Sequence, residues 1–407
     1  MHNKSFINGA DYFQLYLDRE NKKQGAATNA VRLLLIFEGK VDLNALKEKL
    51  ENADILSEIN GLDLKSSAFK NYFFWQKGAS KKTPVSIQQW NERPEALQPF
   101  EDLEQNEWLR INLLNGQKKD AVLFHMHHII ADNKGFQQLI QKLNENPGAS
   151  IEVAQQIKKC GTVATFFKHT WQMLKPKKGR MLTFANKQAK HSGIKFHLLS
   201  KNINEVSTLK NAMAGVVIPG ASTVFLSHIS AVIEKWCKPV QKGDYFWVPV
   251  PVDRRKKGQK DFSLGNQLSF LFYKIECGQS DAQRMESLQT QIIEQAKKRA
   301  VKNYEQLSNT MTKFPYPLYK AMLELPDRGK FCSFTYSDLG HNFKNMTRFM
   351  GENLSDVINF PSVPLAPGIV FVTMHYRNNF HLVMGTDENI ISDSDAKLIL
   401  REISKKI

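Results

Sequence analysis

The segment that most limits how this chain can fold is DAVLFHMHHIIADNKGFQQLIQKL, at residues 120–143. Its first part, DAVLFHMHHII, has the character of a strand. Phe136, Leu139, Ile140 and Leu143 then recur at helical spacing, which predicts an amphipathic helix. A strand that leads directly into such a helix indicates an α/β fold, with three histidines near the junction of the two elements.

Strands and helices alternate along the rest of the chain as well. Near the start, AVRLLLIFEGKVDLNALKEKL predicts a buried strand, a turn and a helix with Asp42 as its N-cap. In the second half, SDAQRMESLQTQIIEQAKKRAVKN predicts one long helix capped by Ser280 or Asp281. GIVFVTMHYRNNFHLVMGTD predicts a hairpin that turns at Asn378 and Asn379.

The pattern weakens around residues 145–190, where Pro176 and Gly179 interrupt a polar, basic stretch. Each side of this stretch mixes strands and helices, and no short internal repeat is visible. We therefore expect two α/β parts, at residues 1–178 and 179–407.

Charge narrows the class of partner. The formal net charge of +16 favours anionic partners, such as a phosphorylated cofactor, an acidic protein or an acidic membrane surface. The alternative is a solvated basic surface without a dedicated partner. Nucleic acid is not expected, because no zinc-finger spacing or RNA-binding signature accompanies the charge.

Targeting and redox signals are also informative. The N-terminal residues contain no apolar stretch typical of a signal peptide, and no apolar run approaches the roughly 20 residues of a membrane helix. We therefore expect a cytoplasmic protein. Cys160, Cys237, Cys277 and Cys332 lie far apart without paired spacing, so neither a disulfide framework nor a thiolate metal site is indicated.

The histidines of HMHHIIADN allow three interpretations. Strand alternation predicts that His125 and His127 lie on one face and His128 on the other. A metal site would use His125 and His127, but the sequence offers no clear third ligand, so no metal is expected. The remaining interpretations are histidines bonded to backbone groups and an acid–base site at His128.

The motif HHIIADN resembles the H-H-x-x-x-D-G signature of the acyltransferase superfamily similar to chloramphenicol acetyltransferase. That superfamily includes condensation domains of nonribosomal peptide synthetases, wax ester synthases and alcohol acetyltransferases. His127, His128 and Asp132 match the signature, and Asn133 replaces its glycine. We expect a positive φ at this position, which asparagine tolerates better than most residues.

Further matches lie in the second half, so the resemblance covers nearly the whole chain. PVPVDRR is similar to the superfamily's P-V-x-x-R strand and places Arg255 on its arginine. SLGNQLSFLFYKI resembles the G-N element and includes Asn266. FTYSDLG is similar to the strand ending in S-N-x-G, with Ser337 matching and Asp338 in place of asparagine.

The resemblance implies an architecture and a mechanism. It implies two similar lobes of mixed sheets with flanking helices, arranged in a V, with the site in a channel between them. His128 would be the general base, which suits an imidazole with an ordinary pKa of about 6.5. His127 would be structural, and Asp132 would form a buried ion pair with Arg255; a second catalytic carboxylate at Asp132 is the alternative.

The resemblance also implies which substrates meet at this site. Ser337 and Asn266 are the candidates to donate hydrogen bonds to the oxyanion of the tetrahedral intermediate. The donor would be a thioester of coenzyme A or of an acyl carrier protein, supplied in trans, and no tightly bound cofactor is expected. The acceptor would be a hydroxyl or an amine on a small molecule or lipid. Alternatives are carrier-dependent condensation and a catalytically inactive binding or scaffold protein.

Overall fold

In the computed structural model, the structure describes residues 5–66, 73–98, 100–151, 179–184, 193–209, 220–237, 240–256, 258–259, 261–324, 332–341, 343–364 and 367–407. Cys160 and Pro176 lie outside these residues, as does residue 178 at the predicted boundary between the two parts. Among the described residues, no helix is long and apolar enough to cross a membrane.

The first half contains four helices and seven strands that the structure describes. In chain order they are β1 (Ser5–Phe6), α1 (Gly9–Lys23), β2 (Ala30–Phe37), α2 (Leu43–Glu51), α3 (Asp54–Asn60), β3 (Leu62–Ser66), β4 (Phe73–Lys77), β5 (Val85–Gln89), β6 (Leu109–Asn115), β7 (Ala121–His127) and α4 (Asn133–Glu145).

The second half supplies the remaining described elements. They are β8 (Ile194–Asn202), α5 (Ala221–Trp236), β9 (Tyr245–Asp253), β10 (Leu268–Glu276), α6 (Asp281–Lys297), α7 (Ala300–Met311), α8 (Tyr316–Glu324), β11 (Thr335–His341), β12 (Arg348–Phe349), β13 (Glu352–Phe360), β14 (Ile369–Tyr376), β15 (Asn379–Asp387) and α9 (Asp393–Ser404).

Two mixed sheets form the centre of the molecule. One has the strand order β12-β13-β2-β7-β6-β5, and the other has the order β11-β14-β15-β8. Each contains one parallel pair, β5 with β6 and β11 with β14, while the other pairs are antiparallel. The prediction of an α/β fold with mixed sheets and flanking helices is therefore confirmed.

The layers are held by apolar side chains on both faces of the central strands. Leu33 and Phe124 pack with Phe136 of α4 on one face of the larger sheet. On its other face, Leu34 packs with Val372 of the smaller sheet. The far side of the smaller sheet is covered by α5 and α9. Because β2 and β7 are buried on both faces, they have continuous apolar runs rather than alternating ones.

The sheets do not divide at the predicted boundary. β12 and β13, at residues 348–360, belong to the second half of the chain but complete the larger sheet, where β13 pairs antiparallel with β2. The two halves of the chain therefore share a sheet. The boundary between residues 178 and 179 stays a proposal.

The predicted N-caps of two helices are confirmed. Asp42 caps α2 by accepting hydrogen bonds from the backbone N–H groups of Asn44 and Ala45. Ser280 caps α6 in a capping box with Gln283. These caps satisfy N–H groups that have no partner within the helix, which explains why such short patterns are reliable.

Two other local predictions were wrong. The long helix predicted from residue 281 is two helices, because Arg299 adopts a left-handed φ of 51° between α6 and α7. The break lets α7 turn and pack against α1. The closing hairpin turns one residue earlier than predicted, since Tyr376 pairs with Asn379 and Arg377 takes a positive φ of 48°.

Candidate active site

His128 lies in the turn between β7 and α4. The strand ends at His127, so strand alternation, which predicted the face of His128, does not extend to it. Instead, the turn is held from two sides: the His128 N–H donates to the Asn29 carbonyl at 2.9 Å, and the His128 carbonyl accepts from Asn266 Nδ2 at 2.9 Å. His128 lines a cavity of about 740 Å³, so its position is suited to contact with a ligand.

The ring of His128 is partly buried, and burial lowers the pKa of His128 below its ordinary value of 6.5. Asp132 acts in the opposite direction but more weakly. The imidazole is consequently neutral near pH 7, the form that can accept a proton.

His127 is held inside the protein. Its Nε2 lies 3.4 Å from Asp18 Oδ1, and its ring packs edge-on against Trp108 at a centroid distance of 5.4 Å. Its Nδ1 accepts a hydrogen bond from the Ile129 N–H at 3.2 Å. Both ring nitrogens therefore have protein partners, an arrangement that fixes the turn before His128.

Asp132 and Arg255 are in direct contact in the interior. Arg255 Nη1 lies 3.0 Å from Asp132 Oδ1 and 3.1 Å from Oδ2, and the side chains are only 3% and 6% exposed. Asp132 also accepts from the Gly135 N–H at 2.8 Å, which makes it the N-cap of α4, and from the Gln267 N–H at 2.7 Å. One carboxylate thus joins the histidine turn, helix α4 and the segment before β10.

The guanidinium of Arg255 has two further partners. Its Nε donates to Gln138 Oε1 on α4 at 3.1 Å, and Nη1 donates to Asp253 Oδ1 at 3.0 Å. Asp253 is 46% exposed, so of the two carboxylates only Asp132 meets Arg255 in a buried position.

The expectation of a positive φ at Asn133 is wrong. Asn133 is the first residue of α4 and is not among the residues with positive φ. The glycine that the structure does require is Gly135, because a Cβ there would lie 2.8 Å from Arg255 Nη2 and 2.8 Å from Ala131 Cβ. Glycine at this position allows the guanidinium to approach the first turn of the helix.

A Gly135→Ala substitution is therefore expected to destabilise the protein by about 1–3 kcal/mol, the usual cost of overpacking a filled interior. The added methyl must displace either Arg255 or the backbone of α4. Gly39→Ala is the matched control, since a Cβ there meets nothing within 4 Å. Urea unfolding of both variants checks this, and equal midpoints for the two would contradict the close packing.

Asn266 does not fit the predicted role as oxyanion donor. Its side-chain Nδ2 donates to Asp11 Oδ1 and to the His128 carbonyl, both at 2.9 Å, so both amide protons are used within the protein. The neighbouring residue Gly265 also contacts the segment after His128, since its backbone N–H donates to the Ile130 carbonyl at 2.7 Å. Asn266 therefore positions the histidine turn.

The sequence prediction missed the supports that α1 provides to this site. Asp11 is 1% exposed and accepts from both the backbone and the side chain of Asn266, and Asn8 Nδ2 donates to the Asn266 carbonyl at 2.8 Å. Burial raises the pKa of Asp11 to about 6. Asn8 and Asp11 form the capping box of α1, and their three-residue spacing is the one signal that could have identified them.

Ser337 lines the same cavity from the smaller sheet. It lies on β11 opposite Val372 of β14, which also lines the cavity. Pro249 and Pro251 of β9 line the same cavity. Proline has no backbone N–H, so these positions cannot donate hydrogen bonds to another strand at the cavity. Ser337 therefore stays a candidate oxyanion donor, because it lines the same cavity as His128.

His125 is separate from the cavity. It is 2% exposed on β7, and burial lowers the pKa of its ring well below the ordinary value. The positive charges of Arg32 and Arg110 lower the pKa of His125 further, because they disfavour a second positive charge on the ring. Within the described ranges of the chain, no group of three or more His, Cys, Asp or Glu side chains is placed to hold a metal ion.

The architecture described above is that of condensation domains and of the acyltransferases related to them. The chain has this fold, as its similarity to solved structures shows. No protein-family model matches the sequence, and no curated protein sequence matches it significantly.

Three solved structures illustrate the likeness. Trichothecene 15-O-acetyltransferase from Fusarium sporotrichioides is 12% identical with a TM-score of 0.71, over 99% of this chain and 95% of that one. The starter condensation domain of rhizomide synthetase, solved with C8-CoA, is 12% identical with a TM-score of 0.64, over 99% and 93%. A wax ester synthase/diacylglycerol acyltransferase from Marinobacter aquaeolei VT8 is 13% identical with a TM-score of 0.62, over 99% and 98%.

Proposed function

We propose that this protein is an acyltransferase that moves an acyl group from a pantetheine thioester to a hydroxyl or amine, with His128 as the general base. The observation that carries the proposal is the position of the His128 side chain at a cavity of about 740 Å³, next to the buried ion pair of Asp132 and Arg255. Similar structures include an acetyltransferase and a wax ester synthase, which supports this class of reaction.

In the proposed reaction the acceptor attacks the thioester carbonyl directly. His128 takes the proton from the attacking hydroxyl or amine as the new bond forms, and then returns it to the leaving sulfur. The negative charge on the former carbonyl oxygen needs a hydrogen-bond donor, and the candidate is the hydroxyl of Ser337 on β11, which lines the same cavity. No covalent acyl-enzyme intermediate is needed.

The pH dependence of kcat/KM tests the state of His128. Because burial lowers the pKa of His128 below 6.5, the base is neutral at pH 7. We expect kcat/KM to fall with pH only as the pH passes through that lowered pKa, so the acid limb should be centred below pH 6.5. Initial rates over roughly pH 5 to 8 measure this.

Asp11, with a pKa raised to about 6, titrates nearby and must be separated from His128. The Asp11→Asn variant keeps an oxygen that can accept from Asn266 but removes the charge. An acid limb that persists in this variant belongs to His128. A limb centred at or above pH 6.5, or one that vanishes with Asp11, would contradict the assignment.

The function itself is tested with a panel of acyl-CoA thioesters and candidate alcohols and amines, with mass spectrometry of the products. The expected result is an ester or amide formed together with free thiol. The formal net charge of +16 suits both coenzyme A and an acidic carrier protein as donor, so the same panel should include acyl carrier protein.

Two alternatives give different outcomes in that panel. Carrier-dependent condensation is supported by the similarity to condensation domains, and it would show amide product only with the carrier-bound donor. An inactive scaffold would bind the thioester without turnover on any acceptor. The replacement of the motif glycine by Asn133 does not by itself favour the inactive scaffold, because Asn133 is the first residue of α4 and has no positive φ.

A further inference from the structure

One part of the cavity at His128, which we call the arm, is lined mainly by apolar side chains. Helix α1 lines it with Ala10, Phe13 and Leu17, whose three- and four-residue spacing places them on one helix face. Apolar side chains of α7, α8 and β10 line it as well, again at spacings that put them on one face of each element, while a few polar side chains of α1, α7 and β10 also line the cavity. Four elements, α1, α7, α8 and β10, thus contribute apolar side chains to the arm.

The arm begins at the histidine turn. Asn8, just before α1, donates to the carbonyl of Asn266, and Asn266 in turn donates to the carbonyl of His128. From this common point α1 and β10 run side by side, since the rings of Phe13 and Phe270 lie 6.2 Å apart between centroids. The polar end of the arm is therefore at His128, and the apolar end lies away from it.

The length of the arm follows from the two elements independently. From Asn8 to Leu17, at ~1.5 Å per helical residue, is about 13 Å. From Leu268 to Phe272, at ~3.3 Å per strand residue, is also about 13 Å. Leu17 and Phe272 both line the cavity, and the contact between Phe13 and Phe270 joins the two elements midway, so we take about 13 Å as the length of the arm.

The chemistry of the walls selects the occupant. An apolar cavity stays free of ordered water and binds apolar molecules. Phe13, Leu17, Met322 and Leu323 all line the cavity and are only partly buried by the protein itself. A bound alkyl group would remove this apolar surface from water, at roughly 25 cal/mol per Å² in other proteins.

We infer that this arm binds a linear alkyl chain of about ten carbons, with the functional end of the chain at His128. The length comes from about 13 Å divided by ~1.25 Å per methylene, the projection of a C–C bond of ~1.5 Å. The inference rests on the proposed function, which defines the reacting end. The chain is either the acyl group of the thioester or the alkyl group of the acceptor.

Two substrate series separate these sources. In the first, the acyl chain of the CoA thioester increases in length with one fixed acceptor; in the second, a linear alcohol increases in length with an acetyl donor. In the series whose chain occupies the arm, kcat/KM should rise about four-fold per methylene, the equivalent of about 0.8 kcal/mol, and level off or fall beyond about ten carbons. A flat dependence in both series overturns the inference.

Failure of the proposed function has a different signature. Calorimetric binding of acyl-CoA and of linear alcohols is measured alongside turnover. Binding that strengthens with chain length without any product supports the arm and contradicts the acyltransferase. Turnover that is indifferent to chain length in both series supports the acyltransferase and contradicts the arm.

Substitutions at the far end of the arm test its position. Leu17→Trp shortens the space and should shift the preferred chain to fewer carbons, whereas Leu17→Ala lengthens it and should shift the preference to more. A loss of folding would lower activity for every chain length, so it could not shift the preferred length in opposite directions in the two variants. Leu318→Trp, on the exposed side of α8 and outside the cavity, should leave the preference unchanged. Equal chain-length profiles in both Leu17 variants and wild type would overturn the assignment.

Discussion

Replacing His128 with alanine is expected to reduce kcat/KM for acyl transfer by about 10²–10⁴-fold, the usual contribution of a general base. The loss has a specific physical origin. Without the imidazole, the attacking hydroxyl or amine loses the base that takes its proton as the new bond forms. The His128 backbone, which bonds to Asn29 and Asn266, keeps its hydrogen bonds in the variant.

Steady-state kinetics with the donor and acceptor found in the panel measure this effect. His341→Ala is the matched control, because His341 is an exposed histidine at the end of β11 that does not line the cavity. The control should retain wild-type rates, and circular dichroism should show that His128→Ala is folded. Comparable rates in the two variants would remove His128 from the mechanism.

The second large effect is on stability. Asp132→Ala should lower the free energy of unfolding by about 3–5 kcal/mol, because it leaves the 3%-exposed guanidinium of Arg255 without its buried counter-ion. The same change removes the N-cap of α4 and the acceptor for the Gln267 N–H. The loss of activity would then follow from a displaced histidine turn.

Asp253→Ala is an unusually close control, because Asp253 binds the same Nη1 atom of Arg255 from a 46%-exposed position. Its loss should cost less than about 1 kcal/mol, as for other exposed pairs. Urea unfolding of these two variants, of Arg255→Met and of Asp132→Ala combined with Arg255→Met measures the coupling between Asp132 and Arg255. A fully stable but inactive Asp132→Ala protein would instead make Asp132 a catalytic carboxylate.

Predictions from sequence succeeded where the physical cause is local. The strand and helix around the histidine motif, the N-cap Asp42 and the capping box of Ser280 all follow from neighbouring residues. The contact between Asp132 and Arg255 spans more than a hundred residues, and no local pattern contains it. It was expected only because a family resemblance carried the long-range information.

Predictions failed where the cause is a distant contact. Asn266 was assigned to the oxyanion, but Asp11, 255 residues earlier in the chain, takes one of its amide protons. The break at Arg299 occurs without a proline or glycine, and the helix that follows it packs on α1, a contact that no local pattern contains. Likewise, the joining of β13 to β2 has no counterpart in a short stretch of sequence.

The sharpest experiment on the role of His128 isolates the chemical step. Enzyme preloaded with donor thioester is mixed with acceptor, and the single-turnover rate constant for product formation is compared between wild type and His128→Ala. We expect the rate constant to fall by at least about a hundred-fold while donor affinity stays close to that of wild type. An unchanged rate constant, or a loss confined to donor binding, would show that the imidazole at 128 is not the base.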